Sequence, residues 1–370
     1  MRNLMVLGKL AFAGLFALSL VACGGSEKAE ETAKVEKKAE TIQWKMVTTW
    51  PKNFPGLGTG AEELAKSIDK MSNGRLKIKV YAAGELVPAM EVFDAVSRGT
   101  AQMGHSSAYY WKGKAPAAQF FSSVPFGMTA QEFNAWLTYG GGLALWEEVY
   151  APFNIIPLPA GNTGAQMGGW FNKEINSLAD FQGVKMRMPG LGGEVLKKVG
   201  AVTVNLPGSE MFTALQTGTL DATEWVGPYH DLAFGLYKAA KYYYYPGWQE
   251  PGSGVEALVN KDAFNALPAD LQEIVRTAAQ KANLNMLSEL TARNNAALKT
   301  LVNEHHVILK KFPKDLLEAL RVASDETMKE VAAADPMSQK VYDSFTQFLS
   351  SVTEWHDISE RAFINARATD

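Results

Sequence analysis

Between residues 42 and 104 the apolar residues alternate between strand and helix spacing, and that alternation leaves few architectures open. Residues 42–50, Ile-Gln-Trp-Lys-Met-Val-Thr-Thr-Trp, read as a buried strand. A Pro/Gly-rich loop follows to residue 60. Residues 61–71 then carry Leu64, Ile68 and Met71 at helical spacing. Ser72, Asn73 and Gly74 form a turn, and residues 76–81 alternate as a second strand. Residues 88–99 return to helical spacing with Met90, Phe93 and Val96, and a short strand begins at Gln102. A β-α-β-α order implies an α/β layered fold with a mostly parallel sheet.

The rhythm recurs further on. Residues 155–172 hold two apolar runs broken by Pro157, Pro159 and Gly161. Residues 184–188 and 202–204 read as strands. Residues 192–199 and 209–217 read as helices, the second capped by Ser209. Residues 255–259 form another strand. Beyond them come long helices over 268–303, 314–334 and 337–366, with Pro268, Pro313 and Pro336 at their starts. A chain of 370 residues exceeds what one hydrophobic core usually organises. The pattern therefore predicts two α/β lobes and a helical C-terminal third. A net charge of −3 argues against a nucleic-acid partner. A single cysteine excludes both an intrachain disulfide framework and a cysteine-built zinc site.

That cysteine, Cys23, closes an N-terminal address. Arg2 and Lys9 precede an apolar stretch from Leu10 to Ala22, too short for a membrane span of ~20 residues but fitting a signal peptide. The string Leu20-Val21-Ala22-Cys23-Gly24 is similar to a bacterial lipobox, in which the cysteine is lipidated and becomes the mature N-terminus. The alternative is an ordinary signal peptide with a chance cysteine. Residues 1–22 are thus expected to be a lipoprotein signal peptide. Residues 23–41, rich in Glu, Lys and Ala, are expected to be a flexible tether.

Several segments carry candidate chemistry. Gly56, Gly58 and Ala61 meet a dinucleotide-binding pattern. The preceding loop is too long for it, and no acidic residue ends the second strand, so a structural or ligand-lining loop is expected. No Gly-x-Ser-x-Gly elbow occurs. His305 and His306 lack metalloprotease spacing and read as solvated positions in a helical region. The Tyr242–Tyr245 run reads as a core or interdomain strand. Arg187 sits inside an apolar strand, where a guanidinium must be paired; its partner is either an internal acid or a bound carboxylate. Glu224 and Glu250 both neighbour tryptophans, and Gln166 offers an amide oxygen. These are either solvated loop residues or oxygen ligands for a hard cation such as sodium or calcium.

The string from Phe181 to Arg187 resembles a signature of the periplasmic solute-binding subunits of TRAP (tripartite ATP-independent periplasmic) transporters, the DctP and TakP type. Leu215, Gly218 and Asp221 match the next signature, and the likeness extends over most of residues 42–350. Ser107 to Trp111, Met186 to Gly190, Glu224 to Tyr229 and Trp248 to Gly252 are similar to the binders of 2-oxo and 2-hydroxy acids. The resemblance implies a two-lobed fold, with 42–163 and 252–302 as lobe I and 164–251 as lobe II. Residues 303–370 are then C-terminal helices bracing both lobes, the last one dimerising in relatives. It implies a receptor rather than an enzyme. Arg187 would bind the substrate carboxylate, with Tyr110 and Tyr109 lining that end. Gln166, Glu224, Glu250 and the Trp225 carbonyl would hold a sodium or calcium ion bridging protein and substrate. The partners implied are a small organic acid anion and the small and large membrane permease subunits. Many such relatives are free periplasmic proteins, whereas Cys23 points to lipid anchoring at the extracytoplasmic face. Alternatives are a receptor for another organic acid and an exported metal-dependent enzyme. The stripe Phe345, Phe348, Val352, Trp355, Ile358, Ser359 and Ala362 either packs on its own chain or forms a homodimer contact.

Overall fold

The computed structural model describes residues 41–368; the expected signal peptide, Cys23 and the tether up to residue 40 lie outside the described residues. The strands are β1 (Ile42–Thr48), β2 (Leu76–Tyr81), β3 (Met103–Ser106), β4 (Ile155–Asn162), β5 (Gly169–Phe171), β6 (Lys185–Arg187), β7 (Val202–Val204), β8 (Ala222–Thr223), β9 (Tyr242–Tyr245), β10 (Gly254–Asn260) and β11 (Ile308–Lys311). They form two sheets, β2-β1-β3-β10-β4 and β11-β9-β5-β8-β6-β7. β10 runs antiparallel to both its neighbours, and so does β5. Each is the strand entered directly from the other sheet. β4 leads through residues 163–168 into β5, and β9 leads through residues 246–253 into β10. A direct crossing enters the second sheet from its opposite end, which reverses the strand; the other strands follow helical crossovers and run parallel.

All seven residues of β10 are buried, as expected for a central strand covered on both faces. On one face lie α1 (Gly58–Met71) and the first half of a 35-residue helix, Ala269–Asn303, through Leu64, Ile68, Leu271 and Val275. Against the other face Phe121 stacks between Trp136 and Trp146, with ring centroids 5.4 and 5.1 Å apart. The second half of Ala269–Asn303 packs Met286, Leu290 and Leu301 against the other sheet with Trp170 and Tyr243. At 1.5 Å per residue this helix is about 52 Å long, which lets one rod brace both lobes. Helix Lys314–Ala332 covers Phe171, Tyr244 and Phe312 with Leu316 and Leu320.

Five local expectations need correction. Residues 303–370 are not purely helical, because β11 pairs in parallel with β9. Ser209 lies inside the helix Gly208–Gln216; Pro207 occupies the N-cap, and no side chain caps it. The last helix is broken at Ser359, between Pro336–Ile358 and Glu360–Arg367. Met71 is mostly outside the core. His305 and His306 follow the long helix in a turn, where His305 stacks on Tyr237 at 3.9 Å and His306 takes φ 55°. The tyrosine run is β9, a strand inside the second sheet: Tyr243 stacks on Trp170 at 4.0 Å and Tyr244 on Phe312 at 4.7 Å. The glycine loop before α1 serves packing. Gly56 has φ +67°, and a Cβ there would lie 2.7 Å from His230 Nε2.

Candidate functional site

Arg187 is the last residue of β6 and is fully buried. Its Nη1 donates to the Glu224 carboxylate and, at 3.1 Å, to the Glu224 carbonyl. Its Nε donates to the Leu206 carbonyl at 3.3 Å, and its Nη2 to Tyr110 Oη at 3.2 Å. The guanidinium lies over the Trp225 ring, 5.2 Å from the centroid. Among the described residues these four hydrogen bonds leave one of its five N–H groups, on Nη2, for a further acceptor. The internal acid that the sequence left open is therefore Glu224.

The two crossings between the sheets lie side by side. Thr163 N donates to the Ser253 carbonyl at 3.0 Å, and Gln166 N to the Glu250 carbonyl at 3.1 Å. Gln166 Nε2 donates to Glu250 Oε2 at 2.7 Å and to Thr163 Oγ1 at 2.9 Å. Gln166 and Glu250 thus sit on the crossings themselves, while Glu224 and Trp225 follow β8. Tyr109 and Tyr110 come from a 3-10 turn after β3 and meet edge to face at 4.7 Å. Tyr109 packs beneath Gly190, where a Cβ would approach its own Cβ to 3.0 Å. Tyr109, Gln166 and Trp225, with Trp50, Thr163 and Ser253, line a small cavity of about 10 Å³.

Burial dominates the electrostatics. It pushes the Glu224 carboxyl up to about 7 against the pull of Arg187, with the Asp231 charge adding to the rise. Burial and then the Glu224 charge hold Glu250 well above the usual carboxylate range. Burial also raises the Tyr109 and Tyr110 phenols. Gln166 Oε1 and Glu224 Oε2 are buried acceptor oxygens without a hydrogen-bond partner among the described residues. Two buried carboxylates, an amide oxygen and unpaired acceptors form a donor set suited to a hard cation, whose charge would reverse the upward shifts.

The structure brings together Arg187, Glu224, Trp225, Gln166, Glu250, Tyr110 and Tyr109. Four residues were not singled out from sequence. Trp50 donates from Nε1 to His105 Nδ1 at 2.7 Å and stands edge-on to Trp225 at 6.2 Å. Thr163 binds Gln166. Asp231 and Glu256 are buried acids behind the site. Glu256 offered the same signal as Arg187, a charge inside an apolar strand; Asp231 offered none. A larger groove between α1 and Ala269–Asn303 contains none of these residues.

Two α/β lobes joined by paired crossings, with a buried guanidinium and an acid cluster where they meet, define a solute receptor of the two-lobed binding-protein class. Residues 46–335 match the family model described as bacterial extracellular solute-binding protein, family 7 (DctP), and the chain belongs to this family of TRAP periplasmic solute-binding proteins. The family consists of receptors. A monocarboxylate 2-oxoacid-binding periplasmic protein of a Nostoc species is 46% identical over 334 residues, spanning 90% of this chain and 91% of that one. A TRAP periplasmic solute-binding protein from Pseudoalteromonas atlantica, solved with bound sodium and pyruvate, is 44% identical with a TM-score of 0.86 and covers 89% of this chain and 100% of its own. One from Colwellia psychrerythraea, solved with calcium and pyruvate, is 44% identical with a TM-score of 0.86 and covers 88% and 100%.

Proposed function

We propose that this protein captures a small 2-oxo or 2-hydroxy monocarboxylate, pyruvate- or lactate-like, together with a sodium or calcium ion. It then delivers the acid to the small and large membrane subunits of a TRAP transporter. The observation that carries this is the fully buried Arg187, held by Tyr110 from the other lobe beside the oxygens of Glu224, Gln166 and Glu250. Arg187 pairs with the substrate carboxylate, and Tyr110 and Tyr109 close that end. Gln166, Glu224, Glu250 and the Trp225 carbonyl are the residues that would hold the ion. The ion supplies the positive charge that lets two buried acids ionise beside an anionic ligand. Among the described residues the cavity lining contains no lysine or arginine, and Arg187, over the ring of the lining Trp225, is a single guanidinium, which disfavours a dicarboxylate. Residues 42–163 with 252–302 close on residues 164–251 as a hinge, braced by residues 303–370.

Titration calorimetry of chelator-treated protein tests this. Pyruvate or lactate gives heat once sodium or calcium is restored, and succinate gives none. Absence of heat with every 2-oxo and 2-hydroxy acid under both cations overturns the proposal.

Two further features belong to it. Cys23 carries the lipid, so the mature protein partitions into detergent phase and Cys23→Ser remains in the aqueous phase. Trp355, Ile358 and Phe363 are 62%, 75% and 63% exposed at the C-terminal end and form a homodimer contact, which light scattering measures.

A further inference from the structure

Asp231 is a buried carboxylate that the binding scheme above does not use. Its Oδ2 accepts from Tyr243 Oη at 2.6 Å and from Trp170 Nε1 at 2.9 Å. Those two donors are cross-strand partners in β9 and β5, with their rings stacked at 4.0 Å. The acid is thus clamped by a rigid pair. Its other oxygen, Oδ1, accepts from Val226 N at 3.3 Å.

The Val226 N–H belongs to the same peptide unit as the Trp225 carbonyl. A trans peptide is planar, and its C=O points opposite to its N–H. With the N–H held on Asp231, the Trp225 carbonyl is turned away from Asp231. A carboxylate on the N–H side also polarises the unit and makes the carbonyl oxygen a better donor to a cation. Its carboxylate is also a third buried acid beside Glu224 and Glu250, against the single buried guanidinium of Arg187.

We propose that Asp231, clamped by Trp170 and Tyr243, is a positioning residue that fixes the Trp225–Val226 peptide so that its carbonyl serves the cation, and whose charge raises cation affinity. This rests on the cation site proposed above.

Calcium titration of chelator-treated protein, followed by calorimetry, is the test. Asp231→Asn lowers calcium affinity at least tenfold. At saturating calcium its pyruvate affinity returns to within threefold of wild type, because Arg187 is untouched; a merely structural defect would not be rescued by excess cation. Wild type that binds calcium while Asp231→Asn binds it equally well overturns the assignment and leaves the site intact. Wild type that binds neither calcium nor sodium, alone or with pyruvate, overturns the site itself. Should Asp231→Asn fail to fold, Tyr243→Phe removes one clamp and keeps the ring. It is expected to weaken calcium binding three- to tenfold, and unchanged affinity refutes the role.

Discussion

Replacing Arg187 with alanine separates its observed role as internal partner of Glu224 from its proposed role as receiver of a carboxylate. The substitution strips a donor from the buried Glu224 carbonyl and from the partly buried Leu206 carbonyl and Tyr110 Oη. At roughly 1 kcal/mol for each acceptor, the loss is about 3 kcal/mol. The Glu224 carboxylate adds a pH-dependent part. Its folded pKa of about 7 already includes the pull of Arg187, and without that charge it rises further. Below about pH 6 Glu224 is protonated in both proteins and contributes no difference. Above pH 7 the variant's native state retains a proton that wild type has released, so its stability falls relative to wild type by about 1.4 kcal/mol per pH unit. At pH 8.5 this adds about 2 kcal/mol, for a total near 5, within the usual range for breaking a buried ion pair. Urea unfolding of cation-free protein at pH 6 and 8.5 measures both parts. The double variant Arg187→Ala, Glu224→Gln loses the pH-dependent part. Equal defects at the two pH values would refute the claim that Arg187 holds Glu224 ionised. For pyruvate, Arg187→Ala loses a charge-assisted contact of roughly 2–5 kcal/mol, about thirtyfold or more in affinity. Affinity within threefold of wild type would reduce Arg187 to an internal ion pair.

Two other perturbations are informative. Burial pushes Glu256, which accepts from Trp111 Nε1 at 2.6 Å and Tyr150 Oη at 2.9 Å, up to about 8. Its folded pKa lies above its unfolded one, so its contribution is full below about pH 4.5 and lost as pH rises towards 8; Glu256→Gln should flatten the stability curve between pH 5 and 8 by up to about 1.4 kcal/mol per unit, and parallel thermal melts would refute this. Lys112 and Glu194 join the two lobes at 2.5 Å, about a third exposed. Glu194→Lys should speed pyruvate release two- to fivefold, consistent with at most about 1 kcal/mol for an exposed pair, while the swap Lys112→Glu with Glu194→Lys restores it. Unchanged stopped-flow release in the single variant means that the pair does not span a moving joint.

The lobes are visible in the sequence because their strands and helices have different apolar periods, and the long helix announces itself at Pro268. β11 is hidden because an edge strand of four residues, two of them lysines, carries neither alternation nor a continuous apolar run. Arg187 stands out by its conflict with its own strand. Its pairing with Glu224 does not, since the partners lie 37 residues apart and meet only through the parallel β6–β8 register. Asp231 is less visible still. Its meaning depends on Trp170, 61 residues away, and on a backbone N–H that no side-chain pattern encodes.

The paired crossings have a consequence for how such a receptor can diversify. Gln166 and Glu250 lie on the paired crossings, which would be the axle of the proposed closure, whereas Arg187 and Tyr110 lie off them. Substitutions off the crossings could then retune which acid is gripped without disturbing the axle. On the proposed scheme, changes at the crossings would alter coordination and closure together, because one hydrogen-bonded ribbon would serve both. On that scheme the grip on the acid could vary with less constraint than the two ion ligands that share the crossings.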